Sequence, residues 1–326
     1  MERTPTGTLK DMSTITIPAT MTAVVLHGYG DADVLAVEQV RTPEPGPGEV
    51  LVRVRATAIN PGEISVREGV FAERFPMAFP FGQGSDLAGD IAAVGDGTTG
   101  FEPGDPVFGW TDDRAAQAEY AVVPTTQLAR RPGGVTVEQA GSLYVVGATA
   151  TAGVAALRLQ PGETVVISGA AGGVGVLATQ LAVRTGARVL ALAGAANHAW
   201  LRARGAEPLA YDGDVAATIR AAAPDGVDAF LDLFGGGYVA LALDELGVAT
   251  GRVNTIIDFA AVQERGVLTE GNAVGADIAN LVAVADGIAA GELELPIAAT
   301  YPLAEVRAAY AELARRHTHG KIVLLP

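Results

Sequence analysis

The chain has 326 residues, of which 49% are hydrophobic and 18% are charged, so it can bury a large core and is not a disordered protein. The length suggests about two domains. The formal net charge of −15 argues against nucleic acid and anionic membranes as partners. The absence of cysteine excludes disulfides and thiolate metal sites.

Residues 1–20 are expected to form an N-terminal tail ahead of a folded part that begins at Met21. They contain no apolar run of the kind found in signal peptides, and this favours a cytoplasmic location. Residues 140–157 are uncharged, which reaches the lower limit for a membrane span, but glycine and hydroxyl residues interrupt the segment. It is predicted to be a buried helix, and no membrane partner is expected.

The part of the chain before residue 137 is predicted to be all β structure. Short apolar runs alternate with glycine- and proline-rich turns, which is typical of a small barrel or sandwich. The predicted strands cover residues 21–27, 35–40, 49–59, 87–94, 106–108 and 119–123.

From about residue 137 the pattern changes to alternating helices and strands, which predicts a parallel, doubly wound sheet. Alanine-rich helices separate strands predicted near Leu190, Leu209, Phe230 and Val253. After Pro296 we predict a strand at 297–301, an amphipathic helix at 303–315 and a final strand at 320–325.

One glycine-rich turn follows the β-branched run Val165–Ile167. Ala170, Gly172 and Gly175 occupy the three positions of the dinucleotide fingerprint, with alanine where the first glycine is usual. Glycines let the backbone approach a phosphate closely, and the N-terminus of a helix attracts the phosphate charge. The turn is therefore predicted to bind a dinucleotide.

The segments around this turn support that prediction. A helix is predicted at 177–183 and a further strand at 188–192, which completes a βαβ unit. A side chain introduced at Gly173 is expected to point into the pyrophosphate site.

Eight short stretches occur along the chain in a characteristic order. They are residues 49–54, 60–61, 84–89, 104–109, 161–165, 169–175, 180–182 and 320–323. Together they resemble the zinc-independent quinone oxidoreductase branch of the medium-chain dehydrogenase/reductase superfamily. The resemblance implies an α/β fold in which a GroES-like β domain (residues 21–146 plus 290–326) is interrupted by a Rossmann domain (residues 147–289).

Zinc-dependent relatives place a cysteine nine residues before a glycine and, later, a Gly-His-Glu sequence. In this chain Asn60 stands nine residues before Gly69, and Gly84-Ser85-Asp86 replaces the second motif. Zinc prefers thiolate, imidazole or carboxylate ligands, and the four histidines show no ligand spacing. No metal site is expected.

The stretch between Glu163 and Glu207 contains no acidic residue. An NAD site usually has an acidic residue there to hold the ribose 2′-OH, whereas a 2′-phosphate meets no repulsion in this chain. NADPH is therefore favoured as the cofactor over NADH. Arg188, His198, Arg202 and Arg204 lie in the same stretch. His198 and Arg202 are candidates for phosphate binding, although each could equally do no more than solvate a helix face.

The resemblance also implies places for individual cofactor-binding residues. Asn60 and Thr149 are expected near the nicotinamide, and Tyr211 near the 2′-phosphate. Arg316 matches a family position that reaches the cofactor. The pyrophosphate is expected at Ala171, Gly172, Gly173 and Val174.

Two positions expected near the substrate depart from the family pattern. Ser65 stands where relatives have a tyrosine, and Tyr144 stands where they commonly have a proline. Together with Asn60 they are the catalytic candidates. Either hydroxyl is a candidate proton donor, with solvent as the alternative, and Tyr144 could equally be a core residue.

The resemblance implies hydride transfer from NADPH to a small quinone or α,β-unsaturated carbonyl compound by a homodimeric enzyme. The cofactor carries such a reaction, so little acid–base machinery is needed. An enoyl reductase, or a tailoring reductase with one dedicated substrate, is the alternative among enzymes. A non-catalytic NADPH-binding sensor or structural protein is the alternative of another class.

Overall fold

The computed structural model describes residues 16–73 and 76–326. Residues 1–15 of the expected tail lie outside the described residues. The strands are β1 (Thr20–Leu26), β2 (Leu35–Arg41), β3 (Glu49–Ala58), β4 (Phe81–Gly82), β5 (Asp86–Val94), β6 (Pro106–Trp110), β7 (Tyr120–Pro124), β8 (Leu128–Arg130), β9 (Thr164–Ile167), β10 (Arg188–Leu192), β11 (Glu207–Leu209), β12 (Ala229–Asp232), β13 (Val253–Thr255), β14 (Ile297–Pro302) and β15 (Lys321–Leu325).

Helices connect and cover these strands. They are α1 (Pro61–Arg67), α2 (Val137–Ala140), α3 (Leu143–Ala156), α4 (Gly173–Arg184), α5 (His198–Ala203), α6 (Val215–Ala222), α7 (Tyr238–Ala240), α8 (Phe259–Arg265), α9 (Asn272–Gly275), α10 (Ile278–Ala289) and α11 (Val306–Leu313). No helix in the described part of the chain has both the length and the apolar character needed to cross a bilayer.

Strands β1 to β8, together with β14 and β15, form two sheets. One has the order β2-β1-β4. The other has the order β14-β15-β3-β5-β6-β8, and in it β7 also pairs with β3. Strand β3 alternates as its sequence predicts, with Val52 and Val54 buried and Arg53 and Arg55 exposed. The last strand, β15, pairs antiparallel with the end of β3. The C-terminal segment therefore completes the β domain, as the resemblance implies.

The second half of the chain contains the predicted parallel sheet. Its strand order is β11-β10-β9-β12-β13, and every pairing is parallel. The order reverses beside β9, so β9 and β12 flank a topological switch point. In sheets of this kind ligands bind at the carboxyl ends of the strands near that point. The predicted α/β class is confirmed.

Helix α3 is the buried helix predicted at 140–157, and it joins the two halves. It packs against α4, α9 and α10, while the N–H of Val145 donates to Asp86 Oδ1 of β5 at 3.0 Å. The expected domain boundary between residues 146 and 147 falls inside this helix.

Two helices begin or end at other residues than the sequence predicts. Helix α4 begins at Gly173, four residues before the predicted start, because the apolar periodicity does not include the glycines that form its first turn. Helix α11 covers only 306–313 of the predicted 303–315, because residues 303–305 form a 3-10 turn and the backbone of Arg316 is left-handed (φ +58°).

Candidate active site

The glycine turn after β9 places the N-terminus of α4 at the switch point. Gly169 has a positive φ of +61°, which reverses the chain. An ideal Cβ at Gly175 would lie 2.1 Å from the carbonyl oxygen of Gly169, so only glycine lets the helix pack this closely against the turn. A Cβ at Gly172, the residue that caps α4, would meet only that same oxygen at 3.3 Å. The first turn of α4 thus offers its N–H groups at the carboxyl end of β9.

The C-terminal segment is hydrogen-bonded to the glycine turn. The carbonyl oxygen of Ala171 accepts a hydrogen bond from the N–H of Gly320 at 3.1 Å and another from His319 Nδ1 at 3.2 Å. A Cβ at Gly173 would lie 3.1 Å from Cδ of Lys321 and 3.3 Å from Cγ1 of Val146. A side chain at Gly173 therefore points towards the C-terminal segment. The expectation that it also reaches the pyrophosphate stays a prediction.

A buried carboxylate ties three neighbouring strand ends together. Asp232 accepts hydrogen bonds from the hydroxyls of Ser168 (2.7 Å) and Thr255 (2.9 Å), which end β9 and β13. It also accepts from the N–H groups of Phe234 and Gly235 at 3.1 and 2.9 Å. This cluster was not among the features predicted from the sequence. Its signal was one small polar residue directly at the end of each buried strand.

Two of the residues expected at the 2′-phosphate, Tyr211 and His198, lie at the carboxyl end of β10. The Tyr211 hydroxyl would lie 3.5 Å from a Cβ at Gly194, and Tyr211 is 44% exposed. His198 Nε2 donates to the carbonyl of Ala193 at 3.0 Å, so this ring nitrogen is engaged with the backbone. Arg202 is exposed on α5.

Two other basic residues of this stretch, Arg188 and Arg204, are paired elsewhere. Arg188 begins β10, at the opposite end of the strand, and makes two hydrogen bonds to Glu207 at 2.8 and 2.6 Å. Arg204 pairs with Glu294. Neither is therefore brought to the carboxyl end of β10.

Arg316 reaches across to the loop after β12. Its guanidinium carbon lies 4.5 Å from the centroid of the Phe234 ring, and its Nη2 donates to the Phe234 carbonyl at 3.2 Å. Val174 follows Gly173 in the first turn of α4. Thr149 is buried on α3, where its hydroxyl donates to the carbonyl of Val145, and its methyl lies 3.9 Å from a Cβ placed on Gly271.

Asn60 lies in a buried charged cluster between the β sheet and the C-terminal segment. Its Nδ2 donates to Asp86 at 2.7 Å and to Glu63 at 3.2 Å, and its Oδ1 accepts from Lys321 Nζ at 2.5 Å. Both amide hydrogens are therefore used within the protein. Burial raises the pKa of Asp86, partly offset by the Lys321 ammonium, and burial lowers the pKa of Lys321.

The same cluster extends away from the glycine turn through Glu63. The Tyr310 hydroxyl donates to Glu63 Oε2 at 2.6 Å and accepts from Gln117 at 2.9 Å and Gln83 at 3.0 Å. Burial raises the pKa of Glu63, and the hydrogen bond from Tyr310 opposes this rise.

Trp110 and Tyr144 form one wall of a pocket of about 650 Å³. Their rings are stacked, with centroids 4.7 Å apart and an interplanar angle of 7°. Burial raises the pKa of Tyr144 to about 12, and the charges of Asp112 and Asp86 act in the same direction. The phenol is therefore protonated at neutral pH. The described residues that line the pocket are Trp110, Asp112, Thr126, Gln127, Tyr144, Asn272, Ala273, Ala276, Asp277 and Ile278.

The pocket and the glycine turn share a wall, the first turn of α3. Tyr144 lines the pocket, and Val146, two residues later, contacts the position of Gly173. Ser65, the other hydroxyl candidate, lies half-buried on α1 and does not belong to this pocket lining.

A GroES-like β domain joined to a parallel sheet with a glycine turn defines a medium-chain dehydrogenase/reductase. Family models match residues 46–133 ("Alcohol dehydrogenase GroES-like domain") and 204–324 ("Zinc-binding dehydrogenase"). A quinone oxidoreductase of Pseudomonas aeruginosa is 31% identical over 320 residues, which cover 91% of this chain and 97% of the relative. The chain belongs to the quinone oxidoreductase family of that superfamily, whose members use a nicotinamide cofactor.

Two further similarities are a solved structure and part of a larger protein. The structure of the quinone oxidoreductase from Coxiella burnetii superposes with a TM-score of 0.84 at 26% identity, covering 94% of this chain and 99% of that chain. Erythronolide synthase EryA2 of Saccharopolyspora erythraea is 38% identical over 196 residues, which cover 59% of this chain and 5% of that protein.

Proposed function

We propose that this oxidoreductase uses NADPH to reduce a quinone or an α,β-unsaturated carbonyl compound, and that it does so without zinc. The observation that carries the proposal is the shared wall: the first turn of α3 joins the glycine turn to the aromatic pocket. In this proposal residues 21–146 plus 290–326 form the substrate unit, and residues 147–289 form the cofactor unit. A homodimer and a cytoplasmic location stay predictions.

The glycine turn fits a dinucleotide. Gly172 leaves the end of α4 open, and the N–H groups and dipole of the helix favour a pyrophosphate there. Ala171, Gly173 and Val174 would contribute backbone. The Asp232 cluster would keep the strand ends in register beneath the cofactor.

The preference for NADPH rests on the carboxyl end of β10. Tyr211 presents its hydroxyl beside Gly194, and a charged hydrogen bond of this kind contributes about 1.5–3 kcal/mol. The adjacent Ala195 and Ala196 have no side-chain donor, so we expect a preference of roughly tenfold.

Zinc does not fit the residues that replace its ligands. The Asn60 amide is saturated by Asp86, Glu63 and Lys321, and the lysine ammonium already supplies a positive charge beside the two carboxylates. Among residues 16–73 and 76–326, no group of three or more metal-binding side chains is gathered at one place. The proposed reaction therefore relies on the protein's own polar groups.

The bound nicotinamide would supply the hydride. The chain would bind the pyrophosphate at α4, orient a planar acceptor against Trp110 and Tyr144, and donate a hydrogen bond to the acceptor oxygen from the protonated Tyr144 phenol. Asn60 would act by positioning, because its amide hydrogens are engaged with carboxylates.

The test is steady-state oxidation of NADPH and NADH with a panel of quinones and enones. We expect turnover with at least one quinone and a lower KM for NADPH than for NADH. NADPH binding without turnover of any acceptor would instead favour the non-catalytic sensor.

An enoyl reductase is the second candidate, since 196 residues match part of erythronolide synthase EryA2. Faster reduction of enoyl thioesters than of free quinones would favour it. A single dedicated substrate, as in a tailoring reductase, would appear as activity confined to one compound.

A further inference from the structure

We propose that the pocket beside Trp110 and Tyr144 selects planar, uncharged acceptors and rejects anionic ones, with Asp112 and Asp277 acting as a charge filter. This inference rests on the proposed function, because it names the substrate class of the same site. Such a pocket would accept free quinones and reject acyl thioesters whose carriers bear phosphate groups.

The shape of the pocket favours a flat ring. Trp110 and Tyr144 stack on each other and are only 6% and 7% exposed, so they form a rigid aromatic wall. The aromatic surface that this stack leaves open favours flat conjugated molecules, which pack against aromatic rings in offset or edge-to-face geometry. The volume of about 650 Å³ lies within the usual range for a small-molecule site.

The charge of the pocket favours neutral ligands. Of the ten described lining residues, Asp112 and Asp277 are acidic and none is basic. Arg114 lies in the same loop as Asp112 and its charge acts on Tyr144, but it does not line the pocket. An anion entering the pocket is therefore repelled by two carboxylates, and the formal net charge of −15 on the chain adds to this repulsion.

Both carboxylates are fixed by hydrogen bonds. Asp112 accepts from the Gln127 amide. Asp277 caps α10 and accepts from the N–H of Ala279 at 2.8 Å. Asparagine has an oxygen that can accept the same bonds, and it is an equally good helix cap. Replacing both residues by asparagine removes the charge and retains the contacts.

The probes are 1,4-naphthoquinone and its 2-sulfonate, which share a ring system and differ in charge. We compare kcat/KM for both probes in the wild type and in the Asp112→Asn/Asp277→Asn double variant. The matched control is Asp214→Asn, because Asp214 also caps a helix, α6, through a bond to Ala217 N–H at 2.9 Å and does not line the pocket. Thermal unfolding verifies that each variant is folded.

Each partly solvated carboxylate is expected to discriminate by about fivefold. The double variant should therefore raise the ratio of kcat/KM for the sulfonate to kcat/KM for the neutral quinone by at least about tenfold. High salt should produce part of the same gain in the wild type. The Asp214→Asn control should leave the ratio of the two kcat/KM values unchanged. An unchanged ratio of the two probes in the double variant would overturn the proposal.

Binding is measured separately from turnover. The chain has two tryptophans, so in a Trp200→Phe background quenching by a quinone reports contact with Trp110. Quenching by the neutral probe and about tenfold weaker quenching by the sulfonate, without any turnover, would support the charge filter while the proposed function fails. Turnover of both probes with an unchanged preference in the double variant would leave the function standing and remove the charge filter.

Discussion

The glycine turn and the aromatic pocket lie on opposite sides of one helix turn, yet they are built differently. Backbone atoms form the turn, and an ideal Cβ at Gly172 or Gly175 would lie 3.3 or 2.1 Å from the backbone oxygen of Gly169. Side chains from four separate stretches of the chain form the pocket. The turn should therefore tolerate no added atom at Gly175, whereas the pocket should lose function in steps as single groups are removed.

The largest expected effect is at Gly175. A methyl group there would overlap the Gly169 carbonyl, so Gly175→Ala should cost about 3 kcal/mol or more of unfolding free energy. Gly172→Ala is the matched control and should cost less than about 1 kcal/mol, because the nearest contact is 3.3 Å and its backbone is extended. Urea denaturation measures both. Equal losses would contradict the backbone-defined turn.

The next effect is at Asp232. Asp232→Ala leaves two hydroxyls and two N–H groups without their acceptor, which should cost about 2–4 kcal/mol and raise the KM for NADPH. Asp228→Ala is the control, since Asp228 accepts from Thr164 N–H at 2.7 Å at the other end of the same sheet. It should destabilise the fold with no change in that KM. A rise in KM in both variants would make Asp232 a purely structural residue.

Tyr144→Phe probes the pocket at a single atom. Loss of the phenol hydrogen bond should lower kcat by about tenfold. Because the pKa of Tyr144 is about 12, the phenol stays protonated and the ratio of wild-type to variant rates should be constant from about pH 6 to pH 10. A ratio that falls by about half near pH 10 would mean that the phenol ionises in its ordinary range.

The smallest effect is at the ribose end of the cofactor site. Ala196→Arg adds a cation beside the carboxyl end of β10 and should raise the NADPH preference by up to about tenfold, with a steeper salt dependence. Ala308→Arg adds the same charge on the exposed face of α11 and serves as the control. Dissociation constants measured by fluorescence titration give the comparison. No gain over the control would place the 2′-phosphate elsewhere.

The contrast between a turn built from backbone and a pocket built from side chains explains which features the sequence predicts. The parallel sheet, the glycine turn and the buried helix α3 follow from local periodicity and glycine spacing, and the structure confirms them. The contacts of Lys321 and Val146 with the position of Gly173 were not predicted, because both residues approach it from distant parts of the chain. Local patterns contain no information about such contacts.

Side-chain clusters mark the limit of prediction. Asn60 was singled out, but its partners Asp86 and Lys321 lie 26 and 261 residues away in the sequence. The stacking of Trp110 on Tyr144 likewise depends on how β6 meets α3. The cofactor roles assigned by resemblance to Thr149 and Arg316 stay predictions.

Calorimetric titration of NADPH tests the central claim most directly, which is that the glycine turn binds the cofactor. Gly172→Asp keeps a good helix cap but puts a carboxylate where the pyrophosphate is proposed, and Gly172→Asn is its neutral match. The account predicts binding of one NADPH per chain in the wild type, a loss of affinity of at least about fiftyfold in Gly172→Asp, and a much smaller loss in Gly172→Asn. Binding by Gly172→Asp within a few-fold of the wild type would contradict it.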